Sequence, residues 1–109
     1  EAVKEGHTDG DIALAAGLQY VRQKTPDLAL PWLKRAVYSQ PVNSLRRLHY
    51  AAALANTGKT EEAKRQAMEA IKLEPLLEQA YVLLTQIEPG RAGYWKDQYR
   101  KVVPRRQLP

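Results

Sequence analysis

SLRRLHYAAALANTGKTEEAKRQAMEAIKLEP, Ser44 to Pro75, decides the fold of this chain. Apolar and small residues recur in it at spacings of three and four, and no run alternates β-branched with polar residues, which is the pattern of helix and not of strand. Gly58 interrupts the run where a residue that adopts positive φ cheaply can turn the chain, and Pro75 stops it, so the stretch reads as two helices joined by a turn. Asn43 or Ser44 is available to cap the first helix, and Thr60 with Glu61 and Glu62 opens the second. The same cadence stands 34 residues earlier, where Ala29, Ala36 and Pro41 anticipate Ala63, Ala70 and Pro75. Small residues seven apart, closed by a proline, describe helices packed tightly against neighbours and then ended.

Working outward, a first helix is expected from about Asp11 to Gln23, capped by Asp9 or Asp11. Thr25-Pro26-Asp27 then starts a second, with Thr25 as cap and Pro26 in the first turn, where its missing N–H is harmless. Pro31 lies beyond that turn and predicts a lost hydrogen bond and a local bend. After Pro75 a fifth helix runs from about Leu77 to Ile87, Pro89-Gly90 cuts it, and a sixth runs from about Gly93 to Val102. The expected architecture is all-α, about six helices in three antiparallel hairpins. It forms one domain over 1–109, with repeats at 10–43 and 44–77, a partial repeat or cap at 78–103, and flexible ends at 1–9 and 104–109.

Composition narrows the function classes. The chain has 109 residues, 44 % of them hydrophobic, enough for one core without cross-links. The absence of cysteine excludes disulfides, thiol catalysis and cysteine-ligated zinc, and leaves the redox compartment open. The longest apolar runs, such as Tyr50 to Ala55, are too short to span a bilayer. With neither an initiating methionine nor a signal-like start, the chain reads as a processed protein or a piece of a larger one. The net charge is +5, and five acids balance five bases as far as Gln40. The excess lies late: Arg91, Lys96, Arg100, Lys101, Arg105 and Arg106 against Glu78, Glu88 and Asp97. Such a segment attracts acidic surfaces or nucleic acid, or simply complements the C-terminal dipole of its helix.

The residues now on the page resemble the tetratricopeptide repeat family, whose 34-residue helix–turn–helix unit carries a loose signature. Gly17, Tyr20, Ala29, Ala36 and Pro41 match it in the first copy; Ala51, Leu54, Gly58, Ala63, Ala70 and Pro75 match it in the second. Tyr81 and Leu84 begin a third that breaks at Pro89. The resemblance implies a right-handed superhelical stack, an α-solenoid. Gly17 and Ala51 would sit at the closest helix crossings facing Ala29 and Ala63, while Ala36 and Ala70 would admit the next hairpin. Trp32, Tyr38, Tyr94 and Trp95 are expected to be packing residues.

The family holds peptides in a groove lined by the first helix of each hairpin. Carried over, the groove positions are Asp11, Leu14, Ala15, Leu18, Val21 and Arg22 in the first copy. They are Leu45, Leu48, His49, Ala52, Ala55 and Asn56 in the second, and Gln79, Val82, Leu83 and Gln86 in the third. One subgroup grips a terminal carboxylate with polar and cationic residues; Leu14, Leu18 and Leu48 depart from it and imply an apolar groove suited to an amphipathic helix. The competing reading buries these leucines by curvature or under the segment 1–7.

No motif of chemistry is convincing. Ala53 to Thr60, ALANTGKT, ends like a phosphate-binding loop, but that loop must leave a β-strand and this one leaves a helix. His7, Asp9 and Asp11 have metal-like spacing, yet nothing nearby completes a ligand set and capping explains the acids. Glu61 and Glu62 diverge by about 100° around a helix. The expectation is a non-catalytic protein-binding scaffold, bacterial in style, without cofactor, metal or small-molecule substrate, able to self-associate through its end hairpins. Two alternatives stand: electrostatic nucleic-acid binding through Arg100, Lys101, Arg105 and Arg106, and an accessory region of a larger enzyme or cytochrome.

Overall fold

A computed structural model describes residues 8–103, all of whose regular structure is helical. The helices are α1 (Asp9–Arg22), α2 (Pro26–Ser39), α3 (Ser44–Asn56), α4 (Thr60–Leu73), α5 (Glu78–Ile87) and α6 (Ala92–Val102), with a 3-10 turn, Pro89–Arg91, between the last two. They pair in order as three antiparallel hairpins, and each hairpin stacks on the next. Of the ends expected to be flexible, 1–9 and 104–109, the residues 1–7 and 104–109 lie outside the described residues, while Thr8 and Asp9 are the cap and first residue of α1.

Local chemistry sets most boundaries. Thr8, and not Asp9 or Asp11, is the cap of α1. Its hydroxyl accepts from the Asp11 N–H at 3.1 Å, and its own N–H donates to Asp11 Oδ2 at 3.0 Å. This reciprocal pair satisfies two donors that the first turn would leave orphaned. Thr25 stands at the cap position of α2 but donates its hydroxyl to the Tyr20 carbonyl at 3.0 Å, holding the preceding turn. Asn43 caps α3, accepting from the Arg46 N–H at 3.1 Å. Pro31 does not end α2, which runs on to Ser39 with the proline on its exposed side.

Tiny side chains at the seams allow close approach. Ala29, Ala36, Ala51, Ala63 and Ala70 are all fully buried. The nearest neighbour of Gly17, however, is Leu33: a methyl placed on Gly17 would lie 2.6 Å from Leu33 Cδ2. Ala51 falls in a cluster with Ala67, Leu83, Leu84 and Trp95, whereas Ala63 belongs to the cluster of Ala29, Leu33, Val37 and Leu54. A third cluster, Ala70, Leu77 and Ala80, joins α4 to α5. Leu33 and Leu84 are the bulkiest side chains wholly removed from water, each contributing about 2–3 kcal/mol by transfer. Trp95 is buried as expected, but Tyr38 and Tyr94 are surface residues, 69 % and 45 % exposed.

Two polar anchors hold the ends of the stack. Arg46, only 4 % exposed, donates to the Ala36 carbonyl at 3.1 Å and to Ser39 Oγ at 2.7 Å, and also pairs with Asp11. It therefore ties α1, α2 and α3 together. Glu88 accepts from Lys64 Nζ at 2.8 Å and from the Trp95 indole N–H at 3.0 Å, fixing α6 against α4. The radius of gyration, 15.0 Å, exceeds the roughly 13 Å of a near-spherical chain of this length. The molecule is elongated, 47 × 31 × 21 Å.

Candidate functional site

The first helices of the hairpins, α1, α3 and α5, follow one another along one face, and a cleft opens between α3 and α5. It has a volume of about 310 Å³ and is lined by Leu48, His49 and Ala52 from α3 with Gln79, Val82, Leu83 and Gln86 from α5. The α3 residues sit at spacings of one and three and so share one side of that helix, as 3.6 residues per turn requires. Leu83 forms the buried floor, Val82 stands 47 % exposed on the rim, and Gln79 and Gln86 are exposed one turn to either side. Beside it a smaller recess of about 190 Å³ shares Leu83 and Gln86 and adds Ala55, Asn56, Thr60 and Ile87. Partial burial lowers the His49 pKa below the ordinary imidazole value, so the ring is neutral at pH 7 and presents one donor and one acceptor.

The expected groove residues thus divide into two sets. Leu48, His49, Ala52, Asn56, Gln79, Val82 and Gln86 are brought together by α3 and α5. Leu14, Leu18 and Val21 are half-buried against the Ala29–Leu33 cluster, so much of their apolar surface is occupied by packing. Arg22 is exposed at the end of α1 and bonded to Gln19 at 3.1 Å; Leu45, 52 % exposed in the first turn of α3, stands one turn before Leu48 and His49 on the same side of that helix, beyond the cleft's lining. Asp11 is committed to Thr8 and Arg46.

The other motifs resolve into local structure. Gly58 turns the chain at φ +82° after helix α3, and Lys59 and Thr60 lead directly into α4, so ALANTGKT joins helix to helix. Of the metal-like triplet, His7 lies outside the described residues, and Asp11 is a capping and ion-pairing group. Among the described residues no three His, Cys, Asp or Glu side chains are grouped to hold a metal ion, and no helix is long and apolar enough to cross a membrane. In the basic C-terminal region Arg91 lies 3.6 Å from Glu88 and over the Tyr94 ring, while Arg100 lies 3.4 Å from Asp97. Arg105 and Arg106 fall outside the described residues. Sequence reasoning overlooked Arg46, because a lone arginine in a helical pattern reads as a solvated side chain and its partner stands 35 residues away.

No family model and no curated protein matches the chain. Solved structures do. A MamA mutant superposes with TM-score 0.72 at 26 % identity, over 84 % of this chain and 55 % of its own. A second MamA mutant gives TM-score 0.74 at 25 % identity, over 89 % and 72 % of the respective chains. A further structure, MamA MSR-1, gives TM-score 0.72 at 26 % identity. The chain therefore spans little more than half the length of the first of these neighbours. MamA is a TPR-like helical solenoid, so the likeness supports the tetratricopeptide resemblance through the fold.

Proposed function

We propose that this chain is a non-catalytic protein-interaction scaffold of tetratricopeptide type, and that it holds an amphipathic helix or extended peptide of a partner in the α3–α5 cleft. The observation that carries the reading is the cleft itself: a mostly apolar trough, floored by Leu83 and Leu48 and edged by Gln79, Gln86 and His49. An apolar floor supplies hydrophobic burial, and polar rims fix the orientation of a bound backbone. The likeness to MamA solenoids is consistent with a scaffold.

Val82 is the residue to change, because it stands on the rim and not in the core. With a photo-crosslinking residue at Gln86, the parent chain should capture a discrete protein partner. Val82→Glu should reduce that capture by roughly tenfold, as loss of a central apolar contact does. Circular dichroism should remain helical. Equal capture by the Val82→Glu chain removes the cleft from the assignment. Crosslinks only to further copies of this chain would make the scaffold self-associating, a role favoured by the recess of about 250 Å³ that Tyr81, Thr85 and Tyr99 line at the end of the stack.

A further inference from the structure

We propose that the chain carries a second binding site, on the side of α3 away from the first, which takes an oxyanion-bearing segment of a protein, presented as carboxylate or phosphate. A cleft of about 580 Å³ lies between α2 and α4, and Lys34, Tyr38, Arg47, Tyr50, Lys59 and Glu62 supply its polar lining. On α3, Arg47, Tyr50 and Leu54 point into it while Leu48, His49 and Ala52 face the other cleft; at 100° per residue these sets lie on opposite sides of the helix. The two sites share no residue.

The charge balance in this cleft is positive and largely uncompensated. Its single carboxylate, Glu62, is already held by Arg65 and by Gln66, whose Nε2 donates at 3.0 Å. Arg47 is braced by the Pro41 carbonyl at 2.7 Å and Gln66 Oε1 at 2.9 Å, which fixes its guanidinium without neutralising it. Among the described residues neither Lys34 nor Lys59 has a carboxylate within ion-pair distance. Lys34 Nζ instead lies 5.7 Å from the Tyr38 ring centre, over its face.

Tyr50 supplies the second, independent observation. The residue is 8 % exposed, yet among the described residues its hydroxyl has no hydrogen-bond partner, whereas the Tyr81 hydroxyl donates to the Pro75 carbonyl at 2.9 Å. The hydroxyl itself is not enclosed: it keeps an edge open to the cleft, where a ligand oxygen can reach it without displacing a protein partner. Burial, then Glu62 and then Tyr38, hold its pKa above the ordinary phenol value, so at neutral pH the group is a proton donor facing the cleft. A donor without a protein acceptor, in a cleft that also carries three cations, is complementary to an anionic oxygen. Val37, Pro41 and Leu54 add an apolar floor, which a peptide side chain can cover and a bare ion cannot.

The test is a titration of the isotope-labelled chain, followed by amide shifts, with three probes: a tetraglutamate peptide, a phosphoserine peptide and a short oligouridylate. Either peptide should shift Lys34, Tyr38, Tyr50 and Lys59 while leaving Val82 and Gln86 still, and whichever binds identifies the anion. Lys34→Gln with Lys59→Gln should weaken binding by roughly tenfold. Tyr50→Phe should weaken it about threefold without lowering the thermal midpoint, since the hydroxyl bonds to nothing in the free chain. Silence with both peptides at millimolar concentration, unchanged affinity in the lysine variant, shifts confined to Arg100 and Lys101, or tighter binding of the oligouridylate would each overturn the proposal. None of these outcomes depends on the α3–α5 cleft.

Discussion

Asp11, Glu88 and His49 each commit the fold to a charge state, and all three push its pH dependence in one direction. The Asp11 carboxyl titrates below its ordinary value, chiefly because it accepts from the Thr8 backbone N–H and then from Arg46, which together outweigh desolvation. Glu88 is lowered first by Lys64 and then by the Trp95 indole. His49 is lowered by burial. A group with a depressed folded pKa binds fewer protons folded than unfolded. Its contribution is therefore complete above the unfolded value and is lost as pH falls through the folded one. For His49 the loss begins below about pH 6.5, and for the carboxylates below about pH 4. The thermal midpoint should be level from pH 8 to 7, decline gently below 6.5 and fall steeply in the acid range. His49→Gln should flatten the gentle part and leave the steep part in place. A midpoint that rises on acidification from pH 6.5 to 5 would contradict this assignment of signs.

Between elements, the two hairpin seams solve one packing problem with different residues. In the first, Gly17 makes room for Leu33; 34 residues later the same positions are Ala51 and Ala67. A small residue on one helix thus admits a large one on its partner, and two intermediate residues serve equally well. Gly17→Ala gains about 1 kcal/mol of helix propensity but drives a methyl into Leu33, whose buried surroundings leave it little freedom to move. Overpacking of that kind costs about 1–3 kcal/mol. Leu33→Ala alone should cost about 2–5 kcal/mol through the cavity it leaves. In the double variant the new methyl occupies part of that cavity, so its cost should fall short of the sum by on the order of 1 kcal/mol. Urea denaturation of the four chains measures the coupling, and strict additivity would show that the two positions do not touch.

Across the whole molecule, what was legible in the sequence is what repeats. The helices, the Gly58 turn and the buried alanines follow a 34-residue cadence, and each depends on neighbours within one hairpin or the next. Departures from the cadence were hidden. Lys24 adopts φ +62° at the position where the next copy has Gly58 at +82°, and nothing about a lysine announces a left-handed turn. The Arg46–Asp11 pair joins separate copies, and the half-burial of Leu14 and Leu18 depends on depth beneath neighbouring helices, which a one-dimensional pattern does not carry. The same nearest-neighbour logic shapes stability. Neither α1 nor α2 packs against α5 or α6, so the ends of the stack communicate only through the middle hairpin. In such a quasi-one-dimensional array, damage at one end should stay there. Trp95→Ala removes the buried indole and its bond to Glu88, at a cost of about 3–5 kcal/mol. Hydrogen exchange should then accelerate by about a hundredfold or more in α5 and α6, while α1 and α2 keep protection within about threefold of the parent. Arg46→Ala should give the mirror image, loosening α1 and α2 while sparing α6, because it unties the other end. Uniform acceleration throughout either variant would mean that the three hairpins open as a single unit, and the stack would then be one cooperative body despite its linear contacts.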